Sequence, residues 1–190
     1  MSSLPPPRRV ITGHDANGKA IIASDSVLEP QEPILPAHTL EKAAELAEAK
    51  GVSPPALPDT RFTNLWRSQT IPAEVQGQWE ECNGKTITLA SNTGVTCRIV
   101  DIGPGATGPL HRTISLDFGV ILKGEAVLEL DDGTETVMKE GDVAVQRATY
   151  HGWHNRSTEP VRIMFVLVPA QKVRVEATGE EYGNWPPLEI

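Results

Sequence analysis

The sequence has 190 residues, a formal net charge of −8 and only two cysteines. A chain of this length fits one domain that buries its own core, and its negative charge disfavours nucleic acid and anionic membranes as partners. No apolar stretch approaches the ~20 residues of a membrane helix, and the first residues lack the apolar core of a secretory signal. We therefore expect a soluble, cytoplasmic protein in which Cys82 and Cys97 stay reduced.

The first third of the chain is rich in proline and in turns. Two short strands, Arg9–Thr12 and Ala20–Ser24, are predicted on either side of Asp15–Gly18, because asparagine and glycine tolerate positive φ in a tight hairpin turn. Thr39–Lys50 is predicted as the one substantial helix, since a threonine can cap its start and a glycine follows its end. Residues 1–60 are therefore interpreted as an N-terminal extension.

From residue 61 onward, short β segments follow one another closely, separated by turns that often contain glycine. The segments are Arg61–Trp66, Thr86–Ala90, Val95–Ile102, Leu110–Leu122, Ala126–Leu130, Thr134–Met138, Val143–Gln146, Tyr150–Asn155 and Val161–Val168. Many short strands with such turns are typical of a β-sandwich or a β-barrel. Residues 61–177 are predicted to form one all-β domain, and residues 178–190 a C-terminal tail.

The segment Leu110–Leu122 has two different faces if it is extended. By period two, one face carries small and polar side chains, which are His111, Thr113, Ser115, Asp117 and Gly119. The other face is apolar and carries Ile114, Leu116, Phe118, Val120 and Leu122. In a closed barrel the polar face is expected to line an internal cavity. The apolar face then needs a cover, either the N-terminal extension or a second subunit.

Two histidine-containing motifs lie within this all-β region. In the first, Gly105 is followed by His111, Thr113, Asp117 and Gly124. This spacing resembles the first signature of the cupin superfamily, which reads Gly, five residues, His, one residue, His, three or four residues, Glu, six residues, Gly. Thr113 stands where the family has a second histidine, and Asp117 stands where it has glutamate.

The second motif opens with Gly141-Asp142 and closes with His151 and Asn155. It resembles the second cupin signature, although Arg147 and Thr149 replace its proline and glycine and one residue is missing before the histidine. The runs 8–19, 111–119 and 145–157 look like a subgroup of stand-alone fungal and bacterial cupins. The resemblance covers most of residues 8–168. It implies an all-β cupin fold, a double-stranded β-helix or jelly-roll barrel, with an N-terminal extension carrying one short helix.

The resemblance implies that His111, Asp117 and His151 form the catalytic site. Two imidazoles and one carboxylate can hold a divalent metal such as Fe, Mn or Zn, although aspartate is one methylene shorter than glutamate. The same three side chains can instead work as acids and bases without a metal. The sequence leaves both alternatives open.

Five further residues are candidates for substrate binding: Thr113, Arg147, Tyr150, Trp153 and Arg98. The planar guanidinium of Arg147 suits a carboxylate, but a surface ion pair fits equally well. Tyr150 and Trp153 flank His151 and can either pack in the core or stack on a substrate. Asn155 is interpreted as structural, and His154 should point away from His151 on a regular strand.

Cupins host many reactions, so the resemblance specifies the fold better than the chemistry. The leading hypothesis is a lyase or isomerase that dehydrates, decarboxylates or cyclises a carbonyl-containing metabolite, such as a polyketide intermediate. An Fe(II)-dependent dioxygenase and a non-catalytic ligand-binding cupin are the alternatives. The apolar back of Leu110–Leu122 also predicts a homodimer, since two-fold pairing is the commonest closed symmetry.

Overall fold

The chain folds almost entirely into antiparallel β-strands, as the sequence pattern predicts. The computed structural model describes residues 4–33, 59–85, 90–91 and 93–184, together with positions 41, 45 and 48. The strands are β1 (Arg8–His14), β2 (Ala20–Val27), β3 (Thr60–Arg67), β4 (Thr96–Ile102), β5 (Ser115–Lys123), β6 (Glu125–Leu130), β7 (Glu135–Lys139), β8 (Val143–Arg147), β9 (His151–His154) and β10 (Val161–Pro169). Among the described residues, no helix is long and apolar enough to cross a membrane.

Two sheets form the body of the fold. One has five strands in the order β3-β4-β10-β5-β8, and the other has three in the order β7-β6-β9. Trp153 of β9 joins their inner faces, because its ring packs edge-on against Phe165 of β10 with 5.7 Å between ring centroids. Its indole N–H also donates a hydrogen bond to Gln146 of β8 at 2.8 Å. This arrangement of two facing antiparallel sheets agrees with the predicted jelly-roll barrel.

One end of the barrel interior is filled with apolar side chains. Alternation along β10 turns every second residue inward, so that Val161 and Ile163 are both 0% exposed. Ile121 of β5 and Ile102 of β4 pack into the same cluster, together with Ala126 of β6. We call these five residues the apolar half of the interior. Their burial supplies the main driving force for closing the two sheets on each other.

The other end of the interior is polar, and strand register places its residues in rows. Side chains at paired positions of adjacent antiparallel strands lie on the same face of the sheet. One row therefore crosses all five strands, through Arg67, Thr96, Leu167, Asp117 and Gln146. The neighbouring row begins with Asn64, Arg98 and Phe165. We call Arg67, Arg98, Asp117 and Gln146, together with His111 and His151, the polar half.

The predicted strand Leu110–Leu122 is divided in two, which corrects the sequence-based element. His111 pairs with His151, which lies in the three-stranded sheet, whereas Ser115 onward belongs to the five-stranded sheet. The chain crosses between the sheets at residues 112–114, where the Ile114 N–H donates to the Asn184 side chain at 2.7 Å. An unbroken strand would separate the α-carbons of His111 and Asp117 by about 20 Å. The crossing instead places these two residues on opposite walls of the barrel.

The two faces of β5 behave as the alternation predicts. Ser115, Asp117 and Gly119 face inward and are buried, whereas Phe118 and Leu122 face outward and are 38% and 40% exposed. On the adjacent strand β8, Val143 and Val145 are also exposed on this outer face. No described part of the N-terminal extension covers these four apolar side chains.

A separate hairpin precedes the barrel, close to its predicted position. Strands β1 and β2 pair around a turn in which the Asp15 carboxylate accepts hydrogen bonds from the N–H groups of Asn17 and Lys19. Arg9 fixes the hairpin to the body, because its guanidinium donates to the Glu81 carboxylate at 2.9 Å and to the Leu65 carbonyl at 3.2 Å. The hairpin is therefore held by an ion pair and by a small number of buried contacts.

Two predicted elements lie largely outside the described residues. Of the helix Thr39–Lys50, only Glu41, Glu45 and Glu48 are described, and all three are exposed and helical. The strand Thr86–Ala90 falls outside apart from its last residue. Cys82 and Cys97 are free thiols, the first buried and the second half-buried.

Candidate active site

His111 and His151 form a close pair at the polar end of the barrel. Their backbones exchange two hydrogen bonds of 2.8 Å, which fixes the two residues directly opposite each other. The ring centroids are 4.5 Å apart, with 54° between the ring planes. His151 is 3% exposed and lies on the inward face of β9, two residues before the core residue Trp153.

The hydrogen bonds of the two rings fix the same tautomer for both histidines. His111 Nδ1 lies 3.0 Å from the Pro109 carbonyl oxygen, and His151 Nδ1 lies 2.9 Å from the Thr149 carbonyl oxygen. A carbonyl oxygen can only accept, so both Nδ1 atoms carry the hydrogen and both Nε2 atoms keep a lone pair. No described residue donates a hydrogen bond to either Nε2. The pair therefore offers two unprotonated ring nitrogens.

Burial keeps both imidazoles neutral. It lowers the pKa of His111, helped by the charge of Arg98, against the hydrogen bond to Pro109 that raises it. It also lowers the pKa of His151, from 6.5 to about 3, and the neighbouring His111 adds to this lowering because it disfavours a second charge. Desolvation acts in this direction on any buried cationic acid.

Asp117 lies on the opposite wall of the barrel, and the pKa of its carboxyl is shifted in the opposite direction to that of the histidines. Burial is the main cause that raises the pKa of its carboxyl, although the Ser115 hydroxyl, Gln146 and the Arg98 charge oppose the shift. Its Oδ2 accepts a hydrogen bond from the Gln146 amide at 3.1 Å. Its Oδ1 is buried and has no hydrogen-bond partner. A carboxyl of this kind is suited to donating a proton to a bound molecule.

Gln146 connects Asp117 to the core. Its side-chain N–H₂ donates to Asp117, while its side-chain carbonyl accepts the indole N–H of Trp153 at 2.8 Å. Because Trp153 is itself packed against Phe165, this chain of contacts fixes the position of the carboxyl group. Gln146 thus positions Asp117, and Trp153 serves packing and orientation rather than an open stacking surface.

Two arginines complete the polar half. Arg98 is 3% exposed, and its guanidinium carbon lies 5.5 Å from the centroid of the Phe62 ring. Burial lowers its pKa to about 10, which leaves it charged at neutral pH. Arg67 lies one row away on β3, and its charge contributes to that lowering. The structure thus brings Arg98 to the interior, together with an arginine that the sequence had not singled out.

The remaining predicted substrate-binding residues divide between the interior and the surface. Thr113 is 3% exposed, and its hydroxyl accepts a hydrogen bond from Ser115 at 2.9 Å, between the two walls. Arg147 is exposed on the outer face of β8, opposite in direction to Gln146, so the structure does not bring it to the site. Tyr150 lies at the rim, where Arg112 stacks over its ring at 5.9 Å.

Two polar residues near His151 have structural partners. His154 points to the other face of β9, as expected, and its Nε2 lies 2.7 Å from the Glu129 carboxylate. The side-chain amide of Asn155 donates hydrogen bonds to the carbonyls of Ile102 and Glu159 at 3.0 and 2.7 Å. These bonds stabilise the turn before β10. Neither side chain belongs to the site.

A divalent metal was one of the two alternatives for the three predicted site residues. The tautomer of His111 and His151 suits a metal ligand, since each Nδ1–H is held by a carbonyl and each Nε2 lone pair is available. However, no group of three His, Cys, Asp or Glu side chains in the described part of the chain is placed to hold a metal ion. Among the described residues, the two imidazoles are therefore available as ligands, but the Asp117 carboxylate is not placed to complete a three-ligand site with them.

Sequence reasoning missed Gln146 and Arg67. A period-two reading of β8 could have found Gln146, because it shares a face with the buried Ala144. Arg67 follows an irregularity in the pairing of β3 with β4, between Asn64 and Trp66, which shifts the inward positions by one residue. A regular alternation predicts the wrong face for Arg67, so no signal in the sequence marks it.

Comparisons with known proteins agree with this architecture. A family model described as "Cupin domain" matches residues 98–167. The chain is 32% identical to the cupin-domain-containing oxidoreductase fogC of Aspergillus ruber, covering 91% of this chain and 77% of that protein. It is 36% identical to the phomopsin biosynthesis cluster protein C' of Diaporthe leptostromiformis, covering 90% and 82%.

Two further matches are a fungal relative and a solved structure. The cupin-domain-containing oxidoreductase srdD of Neurospora crassa is 45% identical over 64% of this chain and 64% of its own length. Among solved structures, the Cnp3 cupin domain of Schizosaccharomyces pombe aligns with a TM-score of 0.48 at 13% identity, covering 85% of this chain and 87% of that chain.

Proposed function

This chain belongs to the cupin family, and we propose that it is an enzyme of secondary metabolism that moves protons on a small carbonyl-containing metabolite. The reaction class is that of a lyase or isomerase, by dehydration, decarboxylation or cyclisation. The observation that carries the proposal is the pair of His111 and His151, each with a free Nε2 lone pair, facing the buried carboxyl of Asp117 across the barrel. Similarity to a biosynthesis-cluster protein supports the choice of secondary metabolism.

The roles follow from the opposite pKa shifts of the histidines on one wall and of Asp117 on the other. In water an aspartate is ionised and a histidine is partly protonated near neutral pH, whereas burial in this site shifts both groups toward their neutral forms. Asp117 is assigned as the proton donor to a substrate oxygen. His151, helped by His111, is assigned as the proton acceptor at Nε2. A carbonyl compound held between the walls then loses a proton on one side while it gains one on the other.

The test is proton exchange, which needs no knowledge of the final product. The protein is incubated in D₂O with a panel of small ketones, hydroxyketones and aldehydes, and deuterium incorporation next to the carbonyl is followed by NMR. We expect exchange with at least one compound, lost in both His111→Gln and His151→Gln. Exchange that persists in both variants, or that no compound shows, would contradict the proposal.

A second candidate function is oxidation, and the relatives support it. Two of them are named oxidoreductases, and two imidazoles with free Nε2 atoms are ligands that suit Fe, Mn or Zn. This candidate predicts that turnover stops without dioxygen and after chelation with EDTA. Proton exchange that continues under both conditions favours the lyase or isomerase instead.

A further inference from the structure

The interior of the barrel carries more positive than negative side chains. On the inner face of the five-stranded sheet, Arg67 and Arg98 are the cations, and Asp117 is the one acidic side chain among the residues that the structure describes there. The two arginines lie in adjacent rows of neighbouring strands. Arg67 and Asp117 stand in one row, three strand spacings apart, which corresponds to about 14 Å between their backbones.

Elsewhere the protein pairs its buried arginines with carboxylates. Arg9 donates to Glu81 through two nitrogens, and Arg162 donates to Asp101 through two nitrogens, at 2.6 and 2.7 Å. Arg67 differs from both, because its side chain forms no ion pair with any described residue and its Nε is buried without a hydrogen-bond acceptor. Arg67 is partly buried, and a guanidinium nitrogen that is shielded from water without an acceptor costs free energy that a bound anion can offset.

The surroundings of the two arginines favour a carboxylate on an apolar body. The planar fork of a guanidinium matches the two oxygens of a carboxylate. The Phe62 ring lies beside Arg98, and Leu167 stands in the same row as Arg67 and Asp117. These side chains can cover hydrocarbon while the arginines neutralise the charged end.

We propose that the barrel interior binds a small organic carboxylate, with Arg67 and Arg98 holding its carboxylate group. The placement of its reacting carbonyl between Asp117 and the histidine pair rests on the function proposed above. Arg67 on β3 and Arg98 on β4 are therefore substrate-binding residues, and the proton-transfer groups on β5 and β9 act on another part of the molecule. The expected substrate is a carboxylate anion in which several bonds separate the carboxylate group from the reacting carbon.

The test compares two probes of nearly equal shape, benzoate and benzamide, by isothermal titration calorimetry at low ionic strength. Benzoate should bind at least about tenfold more tightly than benzamide, since only benzoate carries a charge. Arg67→Gln should weaken benzoate binding by about tenfold and leave benzamide binding unchanged. Arg67 is only partly buried, so this variant is expected to fold.

Two further variants make the result specific. Arg98→Lys keeps the charge but loses the planar fork, and it should also weaken benzoate binding provided that its thermal unfolding matches the wild type. Arg147→Gln is the matched control, because Arg147 lies on the outer face of the same sheet, and it should bind benzoate as the wild type does. Equal affinity for the two probes, or equal weakening in Arg67→Gln and Arg147→Gln, would overturn the proposal.

This experiment separates the binding proposal from the catalytic one. It measures binding of a molecule that is not turned over, so His151→Gln should still prefer benzoate to benzamide. If that preference remains while proton exchange is never observed, the anion site stands and the proposed reaction fails. If exchange is observed but the preference is absent, the reaction stands and the carboxylate site fails.

Discussion

The apolar and polar halves of the interior are built from the same strands but contain different side chains. In the apolar half, Ile121, Val161 and Ile163 are at most 1% exposed, and their side chains carry no polar atom. In the polar half, Asp117 and His151 are almost as deeply buried, at 3% each. Burial alone therefore does not distinguish the core from the site.

The two halves differ in what burial does to the free energy of folding. Each buried apolar side chain contributes about 1.5–3 kcal/mol, whereas a buried polar group costs free energy unless it is hydrogen-bonded. The structure satisfies the Nδ1 atoms of both histidines and both ends of the Gln146 amide. The polar atoms left without a hydrogen-bond partner include Oδ1 of Asp117, the two Nε2 atoms and Nε of Arg67, and a substrate can meet atoms of this kind.

The largest expected effect comes from the polar half. His151→Ala removes one of the two unprotonated ring nitrogens and should lower the proton-exchange rate by about 10²–10⁴-fold. The variant also loses the hydrogen bond from Nδ1 to the Thr149 carbonyl, at a cost of about 1–3 kcal/mol, so the exchange rate is compared per folded molecule. His14→Ala, in the exposed hairpin, is the control and should keep the wild-type rate. A variant His151→Ala with full activity would remove this residue from the mechanism.

The apolar half should respond in the opposite way. Ile163→Ala leaves a cavity in the core, and we expect it to lower the free energy of unfolding by about 2–5 kcal/mol, measured by urea denaturation. Activity per folded molecule should stay close to the wild type. Val145→Ala, on the exposed outer face, should change the stability by no more than about 0.5 kcal/mol. Equal losses in the two variants would show that Ile163 is not part of a packed core.

The sequence predicts this division only in part. Alternation along β5 and β10 is regular, so the inward positions, including Asp117, could be predicted from period two alone. The crossing at residues 112–114 could not, because it depends on a hydrogen bond from Ile114 to the distant Asn184. The inward direction of Arg67 depends on a local irregularity of strand pairing. Irregular backbone and long-range contacts are therefore what limited the prediction of the site.

Trp153 belongs to both halves and gives an intermediate effect. Trp153→Phe keeps most of the ring but removes the N–H that Gln146 accepts, which leaves a buried carbonyl unsatisfied at a cost of about 1–3 kcal/mol. Because Gln146 positions Asp117, the alkaline limb of the pH–activity profile, where the proton donor loses its proton, should also shift. Trp66→Phe is the control, since no described residue accepts a hydrogen bond from its indole. An unchanged pH profile in Trp153→Phe would show that Gln146 does not position Asp117.

Substitutions on the outer face should have the smallest effect on the fold of one chain. This face is where we predict that two chains meet in a homodimer. Phe118, Leu122, Val143 and Val145 form an exposed apolar surface opposite the polar half. Light scattering should give about twice the 20.6 kDa mass of one chain. Val145→Lys should shift this mass toward that of one chain. Because Val145 is exposed on the outer face, the variant should unfold at the same temperature as the wild type when both are monomeric. A wild-type mass of one chain would contradict the prediction.

The polar half keeps its histidines neutral with a lone pair on Nε2, and ¹⁵N NMR of the imidazoles reports both the charge and the tautomer. The folded chain holds His151 neutral down to a pKa of about 3, whereas the unfolded chain takes up a proton below 6.5, so this residue's contribution to stability falls as pH drops through that window. The raised pKa of Asp117 acts in the opposite direction, and its contribution is lost as pH rises.

The resonances of the two histidines are assigned by comparison with His111→Gln and His151→Gln. We expect both rings to have a protonated Nδ1 and an unprotonated Nε2 at neutral pH. Between pH 8 and pH 5 the His151 ring should show no titration step, and any step in the His111 ring should lie below its ordinary pKa of 6.5. A step near pH 6.5 in either ring, or a proton on Nε2, would contradict the account.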